Sequence, residues 1–314
     1  MIRFILRRLL ASIPVLMLVS LITFGLLWLV PGDPASMFLD AGATAEALDR
    51  VRREMGLDQP FLVRMGQWYG RLLQGDLGQS LLLNRSVVSA ILERLPVTLS
   101  LTALAFVVSV LLGVAAGVLA AVRHGRLADQ GMMTLALIGL SIPEFWLGLV
   151  LIWLIAVLVP IFPSGDYVAF ATDPVQWAHH IALPTFSLAC VQMGFVARMT
   201  RSSMLEVLGQ DFIRTARAKG LPEPYVVVRH GLHNAMVPIV TVMGIMVGAL
   251  LGGAVVTEQV FSIPGLGRLI IGAVLSRDFP VIQGGLLFLA LIYLAVNLVV
   301  DLLYAAIDPR VRLQ

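Results

Sequence analysis

Charge is scarce in this chain: charged residues make up 13% of its 314 positions, about half of the roughly 25% usual for soluble domains. A solvated exterior on every side is therefore excluded. Lysine is almost missing, the single one being Lys219, between Ala218 and Gly220. A phosphate-binding loop of the P-loop type needs Gly-Lys followed by Ser or Thr, so the chain carries no such ATP site. Cysteine is limited to Cys190, which rules out an intrachain disulfide and reads as a small buried apolar residue. Of the five histidines, His179, His180, His230 and His233 lack metal-site spacing with other ligands, and no Ser-His-Asp or Cys-His arrangement is present. The sequence thus points away from an enzyme, and no metal or other cofactor is expected in this chain.

What is abundant is apolar surface, at 59% of residues. Six runs reach the ~20 apolar residues that a bilayer span requires: Leu9–Val30, Val97–Val122, Met132–Val159, Ile181–Arg201, Ala235–Thr257 and Val281–Tyr304. The first has no charge and holds fourteen Leu, Ile, Phe or Val residues, which favour insertion by roughly −4 to −8 kcal/mol. It is longer than the apolar core of a secretory signal, and Pro31-Gly32-Asp33-Pro34 is a poor cleavage site, so it reads as a retained span. With the N-terminus inside, thirteen of the 22 basic residues fall in inside segments, and the outside loop 160–180 has none. The positive-inside rule then places both termini and the loop 201–234 in the cytosol. The net charge of +3 reflects this bias and gives no reason to expect nucleic acid binding. The chain is expected to be an all-α membrane protein with six transmembrane helices. Its expected organisation is 1–30, the N-terminus and first helix; 31–96, an extracytoplasmic helical segment; and 97–314, a five-helix core.

The outside segment reads as folded. Thr44 is expected to start a helix reaching Met55, with Leu48, Val51 and Met55 on one stripe and Gly56 as its stop. Pro60 suits the first position of a second helix, with Phe61, Met65, Trp68, Tyr69 and Leu72 at helical spacing and Gly75 as its end. A third short helix is expected over Ser86–Arg94. These stripes are expected to pack on each other and on the span ends. Glycines at four-residue spacing, Gly113 and Gly117 in the second span and Gly244, Gly248 and Gly252 in the fifth, permit close helix approach, either within the chain or between subunits.

Few charges sit at membrane depth. Glu144 follows Pro143 in Ser141-Ile142-Pro143-Glu144, a pattern resembling a capping box in a broken third span. It serves either to tie down a helix start or to contact a substrate in a translocation pathway. Asn297 is placed to bond to a neighbouring helix in such a pathway, and Asp301 lies near the cytosolic end of the last span. The chain of intramembrane carboxylates or histidines that ion-coupled carriers need is not evident.

The cytosolic stretch Asp211–Gly220 reads as a short helix with complete end signals. Asp211 suits the N-cap, Lys219 the negative end of the dipole and Gly220 the left-handed C′ position, and Pro222 and Pro224 bar continuation. At about nine residues, ~13 Å, such a helix is marginal alone, and a cytosolic protein partner is its expected support.

Arg198–Pro238, RMTRSSMLEVLGQDFIRTARAKGLPEPYVVVRHGLHNAMVP, resembles the cytosolic signature loop of permease subunits of bacterial ABC importers, and more narrowly the dipeptide/oligopeptide/nickel permease family, B-type subunit. The resemblance runs over nearly the whole chain. It includes Pro31-Gly32-Asp33-Pro34, Gly75-Asp76-Leu77-Gly78, Leu95-Pro96, Glu258, Phe261, Pro264-Gly265-Leu266-Gly267, Asp278, Pro280 and Asp308-Pro309-Arg310. Arg214-Thr215-Ala216 stands where the wider superfamily usually has Glu-Ala-Ala, and His233 replaces its closing proline, as in the peptide/nickel branch. No contact of the superfamily's glutamate is carried over.

The resemblance implies a type I importer permease fold in the bacterial inner membrane and a coupling helix at Asp211–Gly220 that docks in a cleft on a cytosolic ATPase. Phe212, Thr215, Ala216 and Lys219 would form the inserted face, while Arg214 and Arg217 would meet acidic groups or lipid phosphates, or simply be solvated. Implied partners are a second permease, two ATPase subunits that bind ATP and Mg, and an extracytoplasmic binding protein facing 31–95. Dipeptides or oligopeptides are the leading cargo, with nickel, glutathione or another small solute as alternatives. An ion-coupled secondary carrier and a non-transporting assembly or receptor protein are the other classes.

Overall fold

The computed structural model describes residues 2–29, 44–54, 58–80 and 82–307. The expectations placed on Pro31-Gly32-Asp33-Pro34, Met55, Gly56 and Asp308-Pro309-Arg310, and on the side chains of Leu48, Val51 and Asp301, lie outside the described residues. The described chain is almost wholly helical, with one two-stranded hairpin. Five helices are long and apolar enough to cross a membrane: α1 (Ile2–Leu29), α4 (Val87–Val122), α7 (Pro174–Leu208), the run Glu223–Val260, and α12 (Phe279–Ile307). A bent pair, α5 (Leu127–Ser141) and α6 (Glu144–Leu151, continued as a π-helix to Leu158), whose axes turn by 102°, is apolar enough when taken together and makes six if counted as one span.

The turn is a proline effect. A residue before proline avoids the helical region, and Ile142 is extended at φ −85°, ψ 125°. Pro143 then caps α6. The expected capping box does not form, because the Ser141 hydroxyl bonds to the Leu137 carbonyl in its own helix at 2.9 Å.

Helix limits differ from the apolar runs in instructive ways. The helix expected over Ser86–Arg94 is the first part of α4, which passes through Pro96 unbroken. An internal proline removes a helical hydrogen bond and strains the preceding turn without necessarily ending the helix. Helix α7 begins at Pro174 with the Asp173 carboxylate accepting from the Val175 and Gln176 amides, and it runs past Arg201 to Leu208. The apolar run marks only the lipid-compatible part of this longer helix. Two more short helices, α2 (Ala45–Glu54) and α3 (Phe61–Leu72), lie in the 31–96 segment, with Pro60 as the N-cap of α3.

The chain packs as two compact units. One comprises Ile2–Leu95 with Leu269–Leu294. Within it Trp68 and Phe61 of α3 pack on Phe24 of α1 beside Leu287 of α12, and the Tyr69 and Ser20 hydroxyls bond to each other. The hairpin β1 (Gln79–Ser80) and β2 (Arg85–Ser86) pairs Gln79 with Ser86. Its buried Ser80 donates to Asp278, just before α12, so the Gly78 and Asp278 motifs of the sequence meet in one place, with Gly78 against Pro280.

The other unit comprises Pro96–Arg268 with the chain from Ala295 onward. Its centre is α7, packed against α5, α6 and α10 (His233–Val260). The Gly113 and Gly117 pair is used inside the chain, against Met193, Val196, Ala197 and Thr200 of α7. Of the fifth-span ladder, Gly244 meets Val300 and Gly252 faces open space. A Cβ at Gly117 would lie 2.5 Å from the Ala197 carbonyl oxygen. Gly117→Ala is therefore expected to cost about 1–3 kcal/mol through forced helix separation, seen as a lower thermal midpoint in detergent; an unchanged midpoint would contradict this packing.

Candidate functional site

The loop between α7 and α10 holds the helix anticipated at Asp211–Gly220. Helix α8 spans Asp211–Ala218. Its N-cap is Gln210, in extended conformation and without a side-chain bond, so Asp211 is the first helical residue rather than the cap expected for it. The carboxylate still lies at the positive end of the helix dipole, where it is favourable. The C-terminus matches expectation. Gly220 has φ +79°, its amide bonds to the Arg217 carbonyl at 2.9 Å, and the Leu221 amide reaches back to Ala216 at 3.4 Å. That pair of bonds is a Schellman motif, which ends a helix through a left-handed residue.

Packing gives α8 two distinct faces. Ile213 is 0% and Ala216 7% exposed, and both pack with Val226 and Leu208. Ala216 therefore faces its own chain and leaves the surface on which the sequence reading had set it beside Phe212. Phe212 is 45% exposed, and Arg214, Thr215 and Lys219 are exposed as well. Arg217 is engaged within the loop: its Nη2 and Nε donate to Glu223 at 2.6 and 3.1 Å. This hydrogen-bonded carboxylate raises the Arg217 pKa above its ordinary value. Arg214 lies 3.4 Å from Asp211, one turn earlier on an exposed surface. The chain then continues through α9 (Glu223–Tyr225) and a π-helical turn, Val226–Leu232, into α10.

At the other end of α10, two consecutive residues gather distant helix starts. Thr257 donates to the Glu144 carboxyl at the start of α6, and the Ser187 hydroxyl of α7 donates to the Glu144 carbonyl at 3.2 Å. Gly253 permits this approach, since a Cβ there would overlap the Glu144 carboxyl. Glu258 is 0% exposed. It accepts from the Thr98 hydroxyl and from the Arg268 amide at 3.1 Å, in the first turn of α11 (Leu266–Leu275). Thr98 in turn accepts from the Leu266 amide at 2.8 Å. Gly265 packs directly on the Glu258 carboxyl. The run Glu258–Gly267 is thus one folded latch: a buried carboxyl satisfies the otherwise unpaired amide at a helix start. Sequence reasoning held these residues only as family signature positions. Asn297, the other proposed pathway residue, is half-buried on α12.

Residues 113–313, more than half of the chain, match the family model described as the binding-protein-dependent transport system inner membrane component. The chain belongs to this family. Residues 1–102 match the N-terminal model of the same transport-system membrane component. The permease is 48% identical over 308 residues, 98% of each chain, to a Brucella abortus chain named for a peptide transport system permease. It is 43% identical over 312 residues, 99% of each chain, to the glutathione transport system permease protein GsiC of Escherichia coli O6:H1. Its backbone matches a chain of the inward-facing MetNI methionine ABC transporter with a TM-score of 0.57, covering 70% of this chain and 97% of that one at 21% identity, which shows a shared fold. The protein is accordingly a multi-pass inner-membrane permease subunit of an ABC importer, a transport component rather than an enzyme.

Proposed function

We propose that this permease forms, with a second permease, the pathway of a binding-protein-dependent importer of dipeptides or oligopeptides, and that α8 receives the stroke of a cytosolic ATPase. The observation that carries this reading is the two-faced α8. Ile213 and Ala216 anchor it to its own loop, while the aromatic ring of Phe212, on the flank beside Ala216, stands half-exposed. The anchored face transmits force and the free face meets a partner. Two ATPase subunits bind ATP and Mg and hydrolyse the nucleotide, and an extracytoplasmic binding protein delivers cargo. The peptide assignment draws support from near-full-length similarity to chains named for peptide and glutathione transport.

Phe212→Asp tests the docking face. An exposed aromatic that fills a partner's cleft contributes about 2–4 kcal/mol, so recovery of the ATPase subunits with the purified permease is expected to fall at least about tenfold. The same expression level and membrane insertion are expected, because Phe212 supports little of the fold. Undiminished ATPase recovery would remove Phe212 from the interface.

A further inference from the structure

A moving coupling helix is useful only if its displacement reaches the spans. Helix α8 sits at the foot of α7, so α7 is the first lever. Towards its middle α7 meets α5 through small residues, with Gly139 against Cys190 and Gly194 against the Ala136 carbonyl. Such contacts fix a separation but have little hold on sliding or rotation.

One contact differs in kind. Arg201, two turns before the end of α7, places Nε 2.6 Å from Asp129 Oδ1 and Nη2 2.8 Å from Oδ2. Asp129 lies in the first turn of α5 and is buried. Its Oδ2 also accepts from the Gly125 amide at 3.0 Å, and His124 Nδ1 lies 3.2 Å from it and 3.0 Å from Arg201 Nη2. A bidentate pair fixes rotation as well as distance. Removing Arg201 strands the buried Asp129 carboxylate without its charged partner.

We propose that Asp129 and Arg201 are positioning residues for transport, a clamp that makes α7 and the first half of the bent span move as one body when α8 is pushed. From Asp129, α5 runs to the break at Ile142–Pro143, where Glu144 is tied to Thr257 of α10. The clamp therefore joins the foot of the coupling loop to the bend in the span. This proposal rests on the ATP-coupled reading above.

The test uses the complete importer in proteoliposomes, with alanyl-alanine as the transported probe. ATP hydrolysed and probe taken up are measured in the same vesicles, together with recovery of the ATPase subunits. Arg201→Lys keeps the charge but loses the two-point attachment. The double change Asp129→Asn with Arg201→Gln removes both charges and strands neither. Both are expected to assemble and to hydrolyse ATP at no less than half the parental rate. Uptake is expected to fall so that ATP consumed per probe rises about tenfold, within the range by which residues along a coupling route shift it.

A parental ratio in both variants overturns the clamp, as does a proportional fall in hydrolysis and uptake. Failure of both variants to assemble makes the pair a folding element and also overturns it. If the unmodified importer takes up probe without ATP, the transport reading itself fails, an outcome separate from these.

Discussion

Gly220→Val is expected to uncouple the importer: ATP hydrolysis persists while uptake falls by an order of magnitude or more. A Cβ at Gly220 would meet no atom within 4 Å, so crowding is not the cause. The cause is the backbone, held at φ +79°. An ordinary L-residue bears about 1–2 kcal/mol in the left-handed region, and a β-branched one bears more, because its second γ-substituent crowds the carbonyl. Relieving that strain means opening the bonds from Gly220 to Arg217 and from Leu221 to Ala216 that close α8. The helix then loses a defined end, and with it the fixed angle between its anchored and free faces. Asparagine tolerates positive φ, so Gly220→Asn is expected to transport close to the parent, with Gly220→Ala between the two. The ordering Asn, Ala, Val in ATP consumed per molecule imported is the check. Equal coupling in all three would show that the helix end does not govern the stroke.

The second large effect is expected at the Glu258 latch. Glu258→Ala leaves the Thr98 hydroxyl and the Arg268 amide without their acceptor. At ~1–3 kcal/mol for each stranded polar group, the loss reaches roughly 2–6 kcal/mol, a large share of the ~5–15 kcal/mol that holds a typical domain. Gly265→Ala is expected to act through the same contact, because its Cβ would overlap the Glu258 carboxyl. Glu258→Gln keeps the shape and an acceptor oxygen, and should retain most of the stability. Hydrogen exchange at the Leu266–Arg268 amides is the sensitive reading. Exchange there should rise in the alanine variant at both sites and change little in the glutamine one. Full protection in Glu258→Ala would mean that α11 is held by its apolar contacts alone.

Parts of this architecture were legible in the sequence for identifiable reasons. Span positions followed from apolar length, and the bend followed from Ile142-Pro143, since proline acts on the residue before it wherever it stands. The end of α8 was legible because only a few residues adopt positive φ, and Gly220 stands where the helix signals stop. Other features are set by partners far away in the chain. Asp129 and Arg201 are 72 positions apart, and nothing near either one announces the pair. Helix α11 starts within the latch and is too short to register as a span, although its ten residues are mostly apolar. Ala216 was set on the free face because it lies four residues from Phe212. The more informative signal was Ile213, the larger apolar residue three before Ala216, whose burial decides which side of the helix its own chain claims.

ATP-dependent uptake in proteoliposomes that contain this permease, its partner permease, the ATPase subunits and the binding protein is the most direct measurement of the central claim. Uptake of a dipeptide is expected to stop when ATP is withheld from the ATPase side and to persist when ionophores dissipate proton and sodium gradients. Uptake that survives without ATP but collapses with an ion gradient would contradict that claim.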